Sequence, residues 1–158
     1  MTHNIINLLS LLILGIVYIF TFSKIQNSFF SKITHPKNQA TLIVFISSIT
    51  SAVINLIHIS DAASDAMLFF LDNNQLLKGM IFSISFFAGA WVFSWGFFRL
   101  SFFIIGNLTP ENEMDELIKN NKEIAWLHAI IIIGLTFVIA PALVKIATAF
   151  IPYPKLPF

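Results

Sequence analysis

The sequence contains no cysteine and is poor in charged residues, glycine and proline. The lack of cysteine excludes disulfides, thiolate metal sites and cysteine nucleophiles. Charged residues make up 11% of the 158 residues, whereas an ordinary globular domain has about 25%. The net charge of +1 gives no indication of a nucleic-acid partner. The few glycines form no phosphate-binding loop, and no serine-hydrolase or zinc-protease motif occurs.

Apolar residues dominate the chain instead. They make up 57% of it, and the mean hydropathy is +0.84. The longest apolar segment covers residues 79–105 and contains one charge, Arg99, and no proline. A membrane-spanning helix needs about 20 apolar residues, and three more segments qualify, at 5–22, 41–60 and 124–151. Since only helices and closed barrels satisfy their backbone in lipid, we expect an all-α polytopic protein with four transmembrane helices in a single membrane domain, 1–158.

The distribution of lysine and arginine predicts the orientation. The loops after the first and third apolar segments are richer in these residues than the opposite side of the predicted bundle. We therefore expect both loops in the cytoplasm, and both termini and the second loop outside. The first segment has no basic region before it, so we interpret it as a retained span rather than a signal peptide.

The two halves of the chain look alike. Each has a predicted helix, a loop that contains threonine and proline, and a second helix that returns across the membrane. Both halves enter the membrane in the same direction. This arrangement suggests two helical hairpins related as a parallel repeat about an axis along the membrane normal.

The third loop predicts a short amphipathic helix at about 109–120. Thr109 suits the N-cap position and Pro110 the first helical position. Acidic residues follow in the first turns, where the helix dipole favours them. Leu117 and Ile118 fall on one side of this helix. We expect it to lie at the cytoplasmic surface of the membrane.

The third loop also carries a motif, TPENE at 109–113 followed by LIKNN at 117–121. Its distinctive residues are Thr109, Pro110, Asn112 and Glu113. On these residues the chain resembles the domain of unknown function 350 family (YjfL-like), which comprises small bacterial inner-membrane proteins with four helices in two related pairs. The resemblance implies a location in the bacterial inner (cytoplasmic) membrane and no known enzymatic activity. It also implies an accessory role in envelope-stress or membrane-remodelling systems.

A polar stripe on the second helix is the sharpest candidate site. Ser48, Ser51, Asn55 and His58 are spaced three, four and three residues apart, so they share one helix face. Such a stripe is typical of a polar cavity or proton path. It is equally typical of a contact between helices, where small and polar residues pack and form hydrogen bonds. We favour the helix contact.

Charged residues near the outer end of the bundle form a second candidate. Asp61 and Asp65 continue the spacing of the stripe, and Lys145 lies at a similar depth in the last helix. An ion pair between Lys145 and either aspartate is one interpretation. The alternative, which we favour, is that Lys145 extends to the outer surface. Pro141 precedes Lys145 by one turn and is expected to kink the helix.

The third helix carries two further features. Arg99 lies about 21 residues after Lys78, roughly 30 Å along a helix, which places Arg99 at the cytoplasmic membrane boundary. Trp95 lies one turn earlier and is expected to stack on its guanidinium group. Ser85 and Gly89 form a small-xxx-small pattern that allows another helix to approach closely. This helix is therefore our first candidate for an oligomer interface.

These observations lead to three functional hypotheses. The first is a non-enzymatic subunit or scaffold of a membrane assembly, in contact with the bilayer and with copies of itself or other membrane proteins. The second is a small channel or transporter subunit with the polar stripe on its pathway. The third and least favoured is an intramembrane enzyme. No cofactor is expected, and a metal site from the loop-three acids and His128 is less consistent with the spacing than a solvated acidic surface.

Overall fold

The computed structural model describes residues 2–31, 38–109 and 112–152. Within those ranges the chain is helical and contains no strand. The helices are α1 (Thr2–Ser31), α2 (Gln39–Asp72), α3 (Leu76–Leu108), α4 (Glu113–Ile118) and α5 (Lys122–Ala149). All except α4 are long and apolar enough to cross a membrane. The all-α polytopic fold is confirmed.

The second helix extends much farther than the apolar segment at 41–60. It continues to Asp72 through a sequence that contains three alanines, two leucines and one methionine, all strong helix formers. It ends in a tight turn in which Asn74 has a left-handed φ of 57° and the Gln75 amide donates to the Phe70 carbonyl at 2.7 Å. This turn starts α3 beside the end of α2.

The α2 helix lies at the centre of the bundle and packs against α1, α3 and α5. Contacts between Tyr18 and Ser94 and between Phe29 and Phe98 show that α1 and α3 run in the same direction. Among the described residues, α1 and α5 do not contact each other, although α2 and α3 pack extensively. The two predicted hairpins therefore share the order and direction of their helices, but their packing is not equivalent.

Close packing between α2 and α3 depends on small residues. Ala62, Ala63 and Ala66 of α2 are fully buried. Gly79, at the start of α3, is so close to α2 that a Cβ atom there would lie 2.9 Å from the Met67 sulfur and 3.4 Å from the Met67 Cα. A larger side chain at these positions would separate the two backbones.

The short helix α4 differs from the sequence prediction. Thr109 is not its N-cap, because Thr109 ends α3, and Asn112 caps α4 by accepting from the Met114 amide at 3.1 Å. Leu117 is fully buried in the bundle, whereas Ile118 is 48% exposed. Pro110 lies outside the described residues, as do Glu111 and the basic residues at 32, 37 and 155.

Hydrogen bonds attach α4 to the beginning of α2. The Asn38 side chain donates to the Leu117 carbonyl at 2.6 Å, and the Ala40 amide donates to Asn120 Oδ1 at 2.9 Å. Asn120 adopts a left-handed φ of 65°, which turns the chain back toward α5. The third loop is thus docked against the bundle through Leu117. Burial in the bundle removes more apolar surface of this side chain from water than a position at the membrane surface would.

Candidate functional site

The polar stripe of α2 lies mostly inside the bundle. Ser48, Ser51 and Asn55 are at most 1% exposed, whereas His58 is partly exposed. Ser48 donates its hydroxyl proton to the Phe45 carbonyl one turn earlier, at 2.8 Å. The three buried residues lie on one face of α2, and His58 lies at the edge of that face.

Ser51 connects α2 to α5. Its hydroxyl lies 2.6 Å from the hydroxyl of Thr136, and both residues are fully buried. Thr136 donates its own proton to the Ile132 carbonyl at 2.7 Å. Because a hydroxyl has only one proton to donate, Ser51 must be the donor to Thr136.

Asn55 connects α2 to α3 and, through Ser94, to α1. Its side-chain amide donates to Ser94 Oγ at 2.8 Å, and the Tyr18 hydroxyl lies 2.9 Å from the same oxygen. Ser94 donates its proton to the Ala90 carbonyl at 2.9 Å. Ser94 Oγ therefore accepts from both Asn55 and Tyr18, which uses its full hydrogen-bonding capacity. One serine thus joins three helices in the middle of the bundle.

The charged residues of the second candidate site do not pair with one another. Asp61, Asp65 and Lys145 are all exposed, and no ion pair joins them. Within the described ranges, Lys119 forms an ion pair with Glu116 at 2.7 Å, and His3 Nδ1 lies 3.3 Å from Asp72 Oδ1. Pro141 lies inside α5, which continues past it to Ala149.

A buried histidine on α5 was missed as a packing residue by the sequence reasoning. His128 is fully buried, its Nδ1 lies 3.1 Å from Ser101 Oγ, and its ring centroid is 4.2 Å from that of Phe102. Ser101 donates its proton to the Phe98 carbonyl at 2.7 Å, so it accepts from Nδ1–H of His128. In enzymes, a serine next to a histidine can act as a nucleophile with the histidine as its base. Here both residues are enclosed, and they join α3 to α5.

A buried glutamine on α1 was also missed. Gln26 is fully buried, and neither atom of its amide has a hydrogen-bond partner among the described residues. Its spacing from Tyr18 and Phe22, four residues per step, would have placed it on the buried face of α1. Asn55 Oδ1 and His128 Nε2 are likewise buried and unpartnered in the described part of the chain.

Arg99 lies among aromatic rings at the predicted membrane boundary. Its guanidinium carbon is 5.0 Å from the Trp95 ring centroid and 5.6 Å from that of Phe29. Both distances fall within the roughly 6 Å range of a cation–π interaction. Arg99 therefore contacts α1 as well as its own helix.

The small-xxx-small pair of α3, Ser85 and Gly89, lies on an outer face of the bundle. Ser85 is exposed, and its hydroxyl donates to the Ile81 carbonyl at 2.8 Å. A Cβ atom added at Gly89 would meet nothing within 4 Å. The pair lines a shallow apolar groove between α3 and α5 with Phe93 and Ile146. Among the described helices, none approaches closely at Gly89.

The loop motif serves local structure. Thr109 Oγ1 donates to the Ile105 carbonyl at 3.0 Å, and the Glu113 carboxylate lies against Gly106 of α3. Glu116 accepts from Lys119 at 2.7 Å and from the Asn121 side chain at 2.9 Å. In the described ranges, no group of three or more histidine and acidic residues is placed to bind a metal ion.

Comparison with known proteins finds no match to this chain: no family model, no curated protein and no solved structure matches it. The family resemblance carried by the loop motif therefore stays a prediction.

Proposed function

We propose that this chain is a non-catalytic subunit or scaffold of a membrane assembly, with α1 as its binding face. The observation that carries the proposal is the engagement of the polar stripe. Ser51 and Asn55 form hydrogen bonds to α5 and α3, and such bonds hold helices together in a membrane. Four grooves lie on the bundle surface, and neither Ser51 nor Asn55 lines any of the four.

The outer face of α1 supports its role in binding. Only 17% of its most apolar stretch is buried, compared with 39% for α2. Large apolar side chains on this face are exposed over its whole length: Ile5, Leu8, Leu9, Leu12, Ile13, Ile16, Val17, Phe20 and Ile25. A protein helix that replaces lipid on this face gains packing contacts at little cost in solvation.

The location belongs to the same proposal. We place the chain in the bacterial inner membrane, with the α1–α2 and α3–α5 connections in the cytoplasm and both termini outside. The lysine and arginine distribution supports this orientation. A role in envelope stress is implied by the family resemblance alone, and the identity of the partner would test it.

The absence of cysteine makes a direct test simple. A single cysteine at Ile16, which is 61% exposed on α1, would carry a thiol-directed photo-crosslinker. Illumination of membranes should join the chain to a second copy or to another membrane protein, which mass spectrometry identifies. The matched control is a cysteine at Val138 of α5, which is 78% exposed.

The expected result is a defined adduct from Ile16→Cys and a much weaker one from Val138→Cys. Mild solubilisation of the parent protein should return the same partner. A lone monomer after solubilisation, together with adducts to lipid alone at both positions, would overturn the proposal.

The second candidate function is a small channel or transporter subunit. The specific observation in its favour is the set of buried, unpartnered polar atoms on Gln26, Asn55 and His128. Buried polar groups are usually satisfied by protein or by water, and a file of water through the bundle would conduct protons. Proton and ion flux in liposomes tests this, with Asn55→Leu and His58→Ala as variants. No flux with the parent protein removes this candidate.

A further inference from the structure

A groove between α1 and α3 runs along the outside of the bundle. Its volume is about 320 Å³, within the roughly 300–1,000 Å³ typical of ligand sites. It extends from Leu14 and Ile84 at one end to Thr21 and Val92 at the other, and most of the side chains along it are apolar. A polar ligand would lose its hydrogen bonds to water in such a groove, whereas an acyl chain would not.

The α3 side of the groove leads to Arg99. This residue follows the lining residues Ala88 and Val92 by eleven and seven positions, so the three share one face of α3. Its guanidinium carbon lies 5.6 Å from the ring centroid of Phe29, which belongs to α1. The guanidinium group thus lies beside both helices that form the groove, beyond the Val92 end.

Arg99 has no anionic partner in the described part of the chain. It is exposed, and its guanidinium group contacts the rings of Phe29 and Trp95 without a hydrogen bond or an ion pair to any described residue. The Glu113 carboxylate lies against Gly106, about 10 Å farther along α3 and away from the groove. That separation is about one Debye length, over which exposed charges are largely screened. The N–H donors of Arg99 are therefore open to an external anion.

Lys24 adds a second positive charge at the same end of the groove. It follows the lining residues Val17 and Thr21 by seven and three positions, which places it on their side of α1. It is exposed, and no acid in the described ranges forms an ion pair with it. It precedes Phe29 by five residues, about 8 Å along the helix. The long stem of a lysine is able to carry its ammonium group over such a distance to the membrane boundary.

The distances along α3 match one leaflet of a bilayer. Arg99 lies at the predicted boundary of a hydrocarbon layer about 30 Å thick, so the midplane is about 15 Å deeper. Val92 lies about 10 Å and Ala88 about 16 Å from Arg99 along the helix. A phospholipid with its phosphate at Arg99 has its glycerol next, and an acyl chain then covers Val92 and Ala88. The covalent order of the lipid therefore agrees with the order of the groups along the groove.

We propose that the end of the α1–α3 groove beside Arg99 binds one phospholipid with a net negative charge. The lipid phosphate accepts hydrogen bonds from the Arg99 guanidinium group, whose planar set of donors matches phosphate oxygens. One acyl chain lies along Val92 and Ala88. The charges of Arg99 and Lys24 together disfavour a zwitterionic headgroup, because they repel its ammonium group. The site needs only one chain in a bilayer, so it does not rest on the assembly proposed above.

Native mass spectrometry of the full chain in a non-ionic detergent tests the site. Phosphatidylglycerol and phosphatidylcholine with identical acyl chains are added separately, and the lipid retained by the protein is counted. The parent protein should retain one phosphatidylglycerol in preference to phosphatidylcholine. Arg99→Gln should raise the dissociation constant of phosphatidylglycerol about fivefold, as expected for the loss of one basic residue at an anionic membrane surface. The matched control is Lys122→Gln, which removes an exposed positive charge at the start of α5 and should leave retention unchanged.

Ala88→Phe is the second variant, because it fills the groove and leaves Arg99 in place. Ala88 is exposed, so the bundle accommodates the larger side chain and folding should be preserved. The dissociation constant of phosphatidylglycerol should rise about threefold or more, since the acyl chain loses packing contacts. Ala142→Phe, on the exposed surface of α5, is the control. Equal retention of the two lipids by the parent protein, or undiminished retention of phosphatidylglycerol by Arg99→Gln or by Ala88→Phe, would overturn the proposal.

Discussion

The α1 and α2 helices are both apolar, but they differ in how much of each helix is buried in the bundle. The α1 helix is the more apolar of the two, yet it is the less buried: 17% of its most apolar stretch is enclosed, compared with 39% for α2. In water the more apolar helix would take the centre. In a bilayer lipid is as apolar as leucine, so association depends on packing and on hydrogen bonds. The polar and small residues of α2 place it in the centre.

The strongest test of this comparison uses the two faces of α1 itself. Phe22 is 1% exposed and packs edge-on against Trp91, whereas Phe20 is 66% exposed. Phe22→Ala should lower the free energy of unfolding by about 2 kcal/mol. This is less than the roughly 3–5 kcal/mol of a water-soluble core, because the unfolded helices stay in lipid. Reversible unfolding by sodium dodecyl sulfate in bicelles measures the change.

Phe20→Ala is the matched control and should change stability by less than about 0.5 kcal/mol. Equal losses for Phe20→Ala and Phe22→Ala would mean that the outer face of α1 is as tightly covered as the inner one. That outcome would contradict the difference between α1 and α2, and it would indicate a partner bound to α1 under the conditions of the assay.

A second test probes the close approach of α2 and α3. The Cβ atom of Gly79→Ala would lie 3.3 Å from Phe70 Cβ and 3.4 Å from the Met67 Cα. We expect a loss of about 1–2 kcal/mol, in the range for an overpacked core. Gly89→Ala, on the open face of the same helix, should be neutral or slightly stabilising, since alanine favours a helix. The same unfolding assay applies, and a neutral Gly79→Ala would disprove the close packing.

The smallest expected effect concerns the hydrogen bonds of α2. Asn55→Leu removes the bond to Ser94 and should cost about 1 kcal/mol, since such bonds in membranes contribute about 0.6 kcal/mol on average and at most about 1.7. A double-mutant cycle with Ser94→Ala measures the coupling. Thr50→Leu, exposed on α2, is the control. Additive effects of Asn55→Leu and Ser94→Ala would show that the bond does not stabilise the bundle.

Some features of the candidate site were predictable from local sequence. The helical period placed Ser48, Ser51 and Asn55 on one face, and the structure buries all three. The partners of these residues were not predictable, because Tyr18 and Ser94 are distant in sequence and belong to helices whose order of packing is not encoded locally. His128 was considered only as a metal ligand, and Gln26 was overlooked although its spacing from Phe22 indicates the buried face of α1; their contacts depend on how the helices pack.

In the third loop, too, the local sequence preference differs from what tertiary packing selects. Threonine followed by proline is a good helix start, yet the helix starts later, with Asn112 as its cap. The competing requirement is tertiary: Thr109 ends α3, and Leu117 belongs to a buried apolar cluster with Phe30, Val44 and Phe98. Local preferences for a cap are worth about 1 kcal/mol, less than the burial of one leucine at about 1.5–3 kcal/mol.

The sequence by itself determined that the chain is helical and that four helices are long and apolar enough to span a membrane. The reason is that backbone groups in lipid must be satisfied within a helix, which makes length and hydropathy sufficient. Only the tertiary structure decided that α2 is central, that α1 is peripheral and that Ser94 joins three helices. Hydropathy cannot decide the position of a helix in the bundle, because lipid and protein are equally apolar surroundings. Whether a helix face contacts lipid or protein depends on the fit of particular side chains.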